Sequence, residues 1–166
     1  MLKLSDSNPN LPHGAYGIAS FHLVTPERLH SDAFLIQERD TAIRDLLEAN
    51  DFKLLKFPDE LYHVTLSLCD SRLVFRFDAA NGEELQTLAI SPSPYRKLVQ
   101  DYFMMVESYE SIRAEGNHFR LEAVDMARRA IHNEAAELVV ARFKDKAEMD
   151  FNTARRFFTL ICAVQA

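Results

Sequence analysis

The stretch LYHVTLSLCDSRLVFRFDAANGEELQTLAISPSPYRKLVQDYFMMVESY, Leu61 to Tyr109, carries the change of period that decides the fold. In its first half, apolar side chains recur at every second position. Tyr62, Val64, Leu66 and Leu68 alternate with His63, Thr65, Ser67 and Cys69, and Leu73, Phe75 and Phe77 alternate with Val74 and Arg76. Such alternation is the mark of a half-buried strand. Asp70-Ser71-Arg72 reads as a hairpin turn, and Asn81-Gly82 as a second, because both of its residues accept positive φ. Leu85 to Ile90 closes the meander, and short connections between consecutive strands require antiparallel pairing. Beyond Ser91 the spacing becomes three and four: Leu98, Tyr102, Met105, Tyr109 and Ile112 form one helical stripe, widened by Val99, Phe103 and Val106. Ser93 is a cap candidate and Pro94 suits a first helical turn.

The reading extends outward from there. Upstream, Tyr16 to Val24 fits a strand stopped by Pro26, followed by a helix within Ser31 to Asn50. Phe34, Leu35, Ile43, Leu46 and Leu47 give that helix its apolar face; Glu38, Arg39, Asp40, Arg44, Asp45 and Glu48 give it a wet one. Asn50 is expected to stop it through left-handed geometry, and Phe52 to Phe57 is a short candidate strand. Residues 1–15 are turn-rich and read as a flexible tail. Downstream, the spacing predicts helices only. Gly116 ends one, Asn117 caps a second bearing Leu121, Val124, Ile131, Ala135 and Leu138, and Asp150 caps a last one, apolar nearly all round past Arg156 and therefore expected to be buried. The sum is a single α+β domain over residues 16–166. An antiparallel β-meander of about four to five strands is packed on one face by about four helices, concentrated after residue 91.

Composition narrows the function classes. The 166 residues are 48% hydrophobic and 27% charged, with 12 Phe, no Trp and only 4 Gly. These are globular proportions, and Phe rings without polar groups belong in a core. Formal net charge is −6, and the excess lies in residues 1–90; residues 91–166 balance. Nucleic-acid binding, which needs a basic face, ranks last. Cys69 and Cys162 give neither a disulfide framework nor metal spacing, and free thiols in a reducing cytoplasm are the expectation. The N-terminus has no apolar stretch of signal-peptide length and no run approaches a membrane span, so the expected location is cytoplasmic.

Two C-terminal blocks, EAVDMARRAIHNEA (Glu122 to Ala135) and DFNTARRFFTLIC (Asp150 to Cys162), resemble the strongest blocks of a bacterial family known as uncharacterised protein family 0262. ERDTAIRDLLEAN (Glu38 to Asn50), RLVF (Arg72 to Phe75), SPYRKLVQDYF (Ser93 to Phe103) and ESY (Glu107 to Tyr109) are similar to it in the same order, so the resemblance covers about residues 16–162. It implies a small stand-alone bacterial protein and carries no assigned activity, ligand or catalytic residue. The chain departs from the family where Gly is usual and Ala127, Ala130 and Ala135 stand, and it ends in Val164-Gln165-Ala166 where a His-Trp-Arg-like tail is common.

The residues that stand out chemically are Asp125, Arg128, Arg129 and His132, which fall within about a 100° arc of one helix, together with Arg155 and Arg156 in the first turns of the last. Guanidinium forks match phosphates and carboxylates bidentately, and His132 would suit acid–base work near neutral pH. The plain alternative is ion pairing within the chain, with Asp125, Glu122, Glu134 and Asp150 as partners. His132 and Glu134 lie about 200° apart on a helix, so no shared metal is expected. There is no nucleophile elbow, phosphate loop or dinucleotide fingerprint, hence no expected cofactor. Tyr102, Met104, Met105 and Tyr109 suit a pocket wall but more simply a core. The absence of a catalytic set and the apolar last helix make a non-enzymatic binding or regulatory protein, acting through protein contacts such as a homodimer, the leading expectation; the alternative is an enzyme or binder of a small phosphorylated or carboxylated ligand held by the Arg/His cluster.

Overall fold

The computed structural model describes residues 16–26 and 32–166; the expected tail, residues 1–15, lies outside them. The order of elements is β1 (Gly17–Leu23), α1 (Ala33–Glu48), β2 (Phe52–Leu54), β3 (Leu61–Cys69), β4 (Arg72–Asp78), β5 (Glu84–Ile90), α2 (Arg96–Glu115), α3 (His118–Phe143), β6 (Ala147–Met149) and α4 (Phe151–Val164). The α+β class stands. The four-stranded sheet runs β1-β3-β4-β5, and β3, β4 and β5 form the antiparallel meander. At the β3–β4 turn Asp70 and Ser71 both have positive φ, at 50° and 61°. That geometry matches the natural strand twist in a two-residue hairpin. The next turn is five residues rather than two: Ala79 N–H donates to Glu83 O at 2.8 Å, and only Gly82 takes positive φ, at 87°.

Four details differ from the sequence reading. First, β1 pairs parallel to β3, with α1 as the crossover between them. Second, a three-residue strand, β6, does follow residue 91. It pairs antiparallel with β2 as a separate two-stranded sheet, outside the meander that β2 was expected to join. Ala-Glu-Met is too short and too mixed to announce a strand by alternation. Third, Ser93 caps nothing; it opens a 3-10 turn, Ser93–Tyr95, and α2 begins only at Arg96. Fourth, Asn50 does not stop α1 by left-handed geometry. Its buried amide instead takes the Ile18 N–H at 2.9 Å and donates to Ile18 O at 3.0 Å and Leu46 O at 2.9 Å. One side chain thus satisfies the outward groups of Ile18, as a neighbouring strand would at that residue, and ties β1 to the end of α1. The other caps hold: Asn117 accepts from Arg120 N, Asp150 accepts from Thr153 N, and Gly116 closes α2 at φ 72°.

The core lies between the sheet and the helices, and α4 runs through it. Residues Phe157 to Val164 are all buried except for a sliver of Thr159. Phe157 faces the strands: its ring lies 5.6 Å from those of Phe52 and Phe75 and 5.9 Å from Phe21. Phe158, one residue and about 100° further round, faces the helices, 6.2 Å from Tyr102 of α2 and 5.5 Å from His132 of α3. The start of α4 is fixed by the small sheet, since Asp51 N–H donates to Thr153 Oγ at 3.0 Å and Asp150 N–H to Asp51 O at 3.0 Å.

Replacing Asn50 with Ala strands a buried N–H and two carbonyls. At roughly 1–3 kcal/mol for an orphaned buried group, the expected loss is about 3 kcal/mol of unfolding free energy. Urea unfolding of Asn50→Ala checks this, and a shift below about 1 kcal/mol would contradict this role.

Candidate functional site

All six residues singled out in the sequence meet in one cleft of about 290 Å³, where α1, α3 and α4 come together. Asp125, Arg128, Arg129 and His132 approach from α3, Arg155 and Arg156 from the first turn and a half of α4. The third wall is α1, which contributes Glu38, Thr41, Ala42 and Asp45. These recur at three and four residues, one stripe of the helix. The sequence reading placed Glu38 and Asp45 on a solvated face; the fold turns that face onto the arginines.

Of the carboxylates expected as partners, Asp125 serves as one, and two others come from α1. Arg129 pairs with Asp125 along α3 at 2.9 Å, as its spacing of four permits. Arg128 reaches Glu38 at 3.6 Å and Arg156 reaches Asp45 at 3.8 Å, both across helices and both beyond hydrogen-bond distance. Asp150 is spent on its cap, and Glu134 is exposed on the far side of α3. Arg155 has no carboxylate partner among the described residues, and its buried Nε has no hydrogen-bond acceptor. Burial, followed by the neighbouring charges of Arg156, Arg128 and Arg129, holds the Arg155 guanidinium below its usual range. Glu38 is fixed from behind by the Tyr102 hydroxyl at 3.3 Å. The rest of the aromatic and methionine set divides: Tyr102 and Met105 are core, Tyr109 packs on Phe34, and Met104 is exposed.

His132 is buried and engaged at both nitrogens. Nδ1 lies 2.8 Å from Arg128 O, a pure acceptor, so Nδ1 carries the proton. Nε2 then accepts from the Thr159 hydroxyl at 2.9 Å. Burial first, and then the positive charges of Arg128, Arg155 and Arg156, bring this imidazole down to about 4. The expectation of an acid–base group poised near neutrality is therefore corrected. His132 is neutral at pH 7, has no free nitrogen to offer, and serves to position Thr159 and the α3–α4 contact. The formal balance of the cleft is four guanidiniums against three carboxylates, one positive charge in a chain of net −6.

The described residues thus define an α+β protein with an arginine-rich cleft between three helices, two of them far from the third in sequence. The family model described as Uncharacterised protein family (UPF0262) matches residues 17–166, and the chain belongs to that family. It is 48% identical over 127 residues to the UPF0262 protein of Acidiphilium cryptum, covering 76% of this chain and 78% of that one. It is 47% identical over 130 residues to the UPF0262 protein of Hyphomonas neptunium, covering 78% and 80%. With the UPF0262 protein R00612 of Rhizobium meliloti the figure is 44% over 127 residues, covering 76% and 80%. No solved structure matches. No helix among the described residues is long and apolar enough to cross a membrane.

The depressed His132 value fixes the sign of a pH effect. Unfolded, this imidazole takes its proton near 6.5; folded, only near 4. Between those values the unfolded chain binds the extra proton, so stability present above pH 6.5 is lost as pH falls toward 4. The contribution is at most about 3 kcal/mol. In His132→Gln the fall in unfolding free energy between pH 7 and the acid range should be smaller than in the wild type by that order. Equal pH slopes for the two proteins would contradict the assignment.

Proposed function

We propose that the protein binds a small phosphorylated or carboxylated molecule in the cleft between α1, α3 and α4. One observation carries this reading: the Arg155 guanidinium, its Nε buried and without an acceptor, sits beside three other guanidiniums and an uncharged histidine. Gathering four cations costs electrostatic energy that three partly solvated carboxylates only partly offset. An anion supplies the missing acceptor, and guanidinium forks suit its paired oxygens. The same wall presents Glu38, Asp45 and the Thr159 oxygen, whose hydrogen is committed to His132. A ligand that also carries hydroxyl or ammonium donors would engage those acceptors. The reading rests on binding and assigns no acid–base role to His132, which is neutral and doubly engaged. A role through protein contacts, the leading expectation from the sequence, draws less support from the last helix, whose apolar residues other than Phe151 are buried in the core.

A thermal-shift series with inorganic phosphate, sugar phosphates and hydroxy-dicarboxylates tests the proposal. The wild type should melt higher as ligand concentration rises, by mass action. In Arg155→Met the ligand-free melting point should not fall, because a guanidinium crowded by like charges is removed, while the ligand-dependent rise should vanish. A rise of equal size in Arg155→Met, or none in the wild type with any of these anions, would defeat the proposal.

A further inference from the structure

The main sheet has two edges, and they are treated differently. At β1 the start of the edge is blocked: the Asn50 amide occupies both the N–H and the C=O of Ile18. At β5 it is open. Apart from the ladder with β4, no hydrogen bond among the described residues reaches the main chain from Leu85 to Ile90. An antiparallel ladder uses alternate residues toward each neighbour, so every second N–H and C=O of β5 faces outward unpaired. The strand carries no Lys or Pro between Glu84 and Ile90, the residues that commonly guard such an edge. Beside it runs a groove of about 490 Å³ lined by every residue from Gln86 to Ser91, so it follows the strand's edge rather than one face. Within it, the buried Gln86 Oε1 has no donor.

We propose that β5 pairs antiparallel with β5 of a second copy of this chain, forming one continuous eight-stranded sheet. Charge identifies the occupant. Arg142 and Lys146 flank the groove and have no carboxylate partner among the described residues. Arg142 lies close enough to Tyr95, just beyond the end of β5, to act on its hydroxyl. At the opposite end of the strand stand Glu83, without an ion-pair partner among the described residues, and Glu84, which accepts from the Thr87 hydroxyl at 3.0 Å and lies 3.5 Å from the exposed Arg76. A two-fold axis at Thr87 sets Glu84 against Ile90 and Glu83 against Ser91 of the second copy. The acidic end of each strand then meets the basic end of the other groove. The arrangement is isologous and closes at two copies, because a two-fold axis uses the β5 edge of each copy once.

Sedimentation velocity of the full chain over a concentration series should show a species of twice the 19.0 kDa chain mass. Thr87→Lys, at an exposed position, places two cations together on the axis and should yield monomer with an unchanged circular dichroism spectrum. The double reversal Glu83→Lys with Arg142→Glu should retain the dimer, whereas Arg142→Glu alone should weaken it. As a readout needing no variant, amide exchange across Leu85–Ile90 in the wild type should slow as concentration rises. A wild type that stays monomeric at its highest soluble concentration overturns the proposal. So does a dimer that survives Thr87→Lys or leaves β5 exchange unprotected. None of these results bears on anion binding in the α1–α3–α4 cleft, which the groove does not touch.

Discussion

The burial of α4 is the constraint on which the rest of this structure depends. A helix usually has one apolar stripe and one wet face. Here two adjacent phenylalanines, Phe157 and Phe158, point into different layers, the first among the strand rings and the second against Tyr102 and His132. The helix is therefore shared by sheet and helices, and neither layer closes without it. Only the first turn and a half of α4 lies near the surface, and that is where Arg155 and Arg156 sit. The cleft is a consequence of where the apolar helix begins.

The same geometry explains the electrostatics. Charges are tolerated at this depth only when paired or partly solvated. Arg129, Arg128 and Arg156 meet that condition through Asp125, Glu38 and Asp45. His132 meets it by losing its charge altogether, engaged by a carbonyl on one side and a hydroxyl on the other. Arg155 is the residue for which the described protein supplies no counterpart. The proposed anion would supply that counterpart.

Much of the fold was legible in advance, and the reasons are local. Strict alternation exposed β3 and β4, the acceptors Asn117 and Asp150 announced two helix starts, and Gly116 a stop, because each depends on a side chain and the few residues beside it. The features that escaped were decided at a distance or by very short segments. β6 exists because the chain passes β2 after α3, and the role of Asn50 depends on a strand 32 residues earlier. The arginines were recognised as a set because Arg128, Arg129 and His132 share one helix face. Their partners on α1 were not, because Glu38 and Arg128 are ninety positions apart and alternation or helical spacing says nothing across that interval.

By itself, then, the sequence determined the class of fold, the placement of most helices and strands, and which residues were unusual. These follow from periodicity and capping, which act over a few residues. The tertiary structure alone decided that β1 runs parallel to β3, that α1 turns its acidic stripe onto the arginines, that His132 is uncharged, and that Arg155 is left over. Each of those rests on which surfaces are removed from water together, and desolvation is a property of the packed chain rather than of any segment within it.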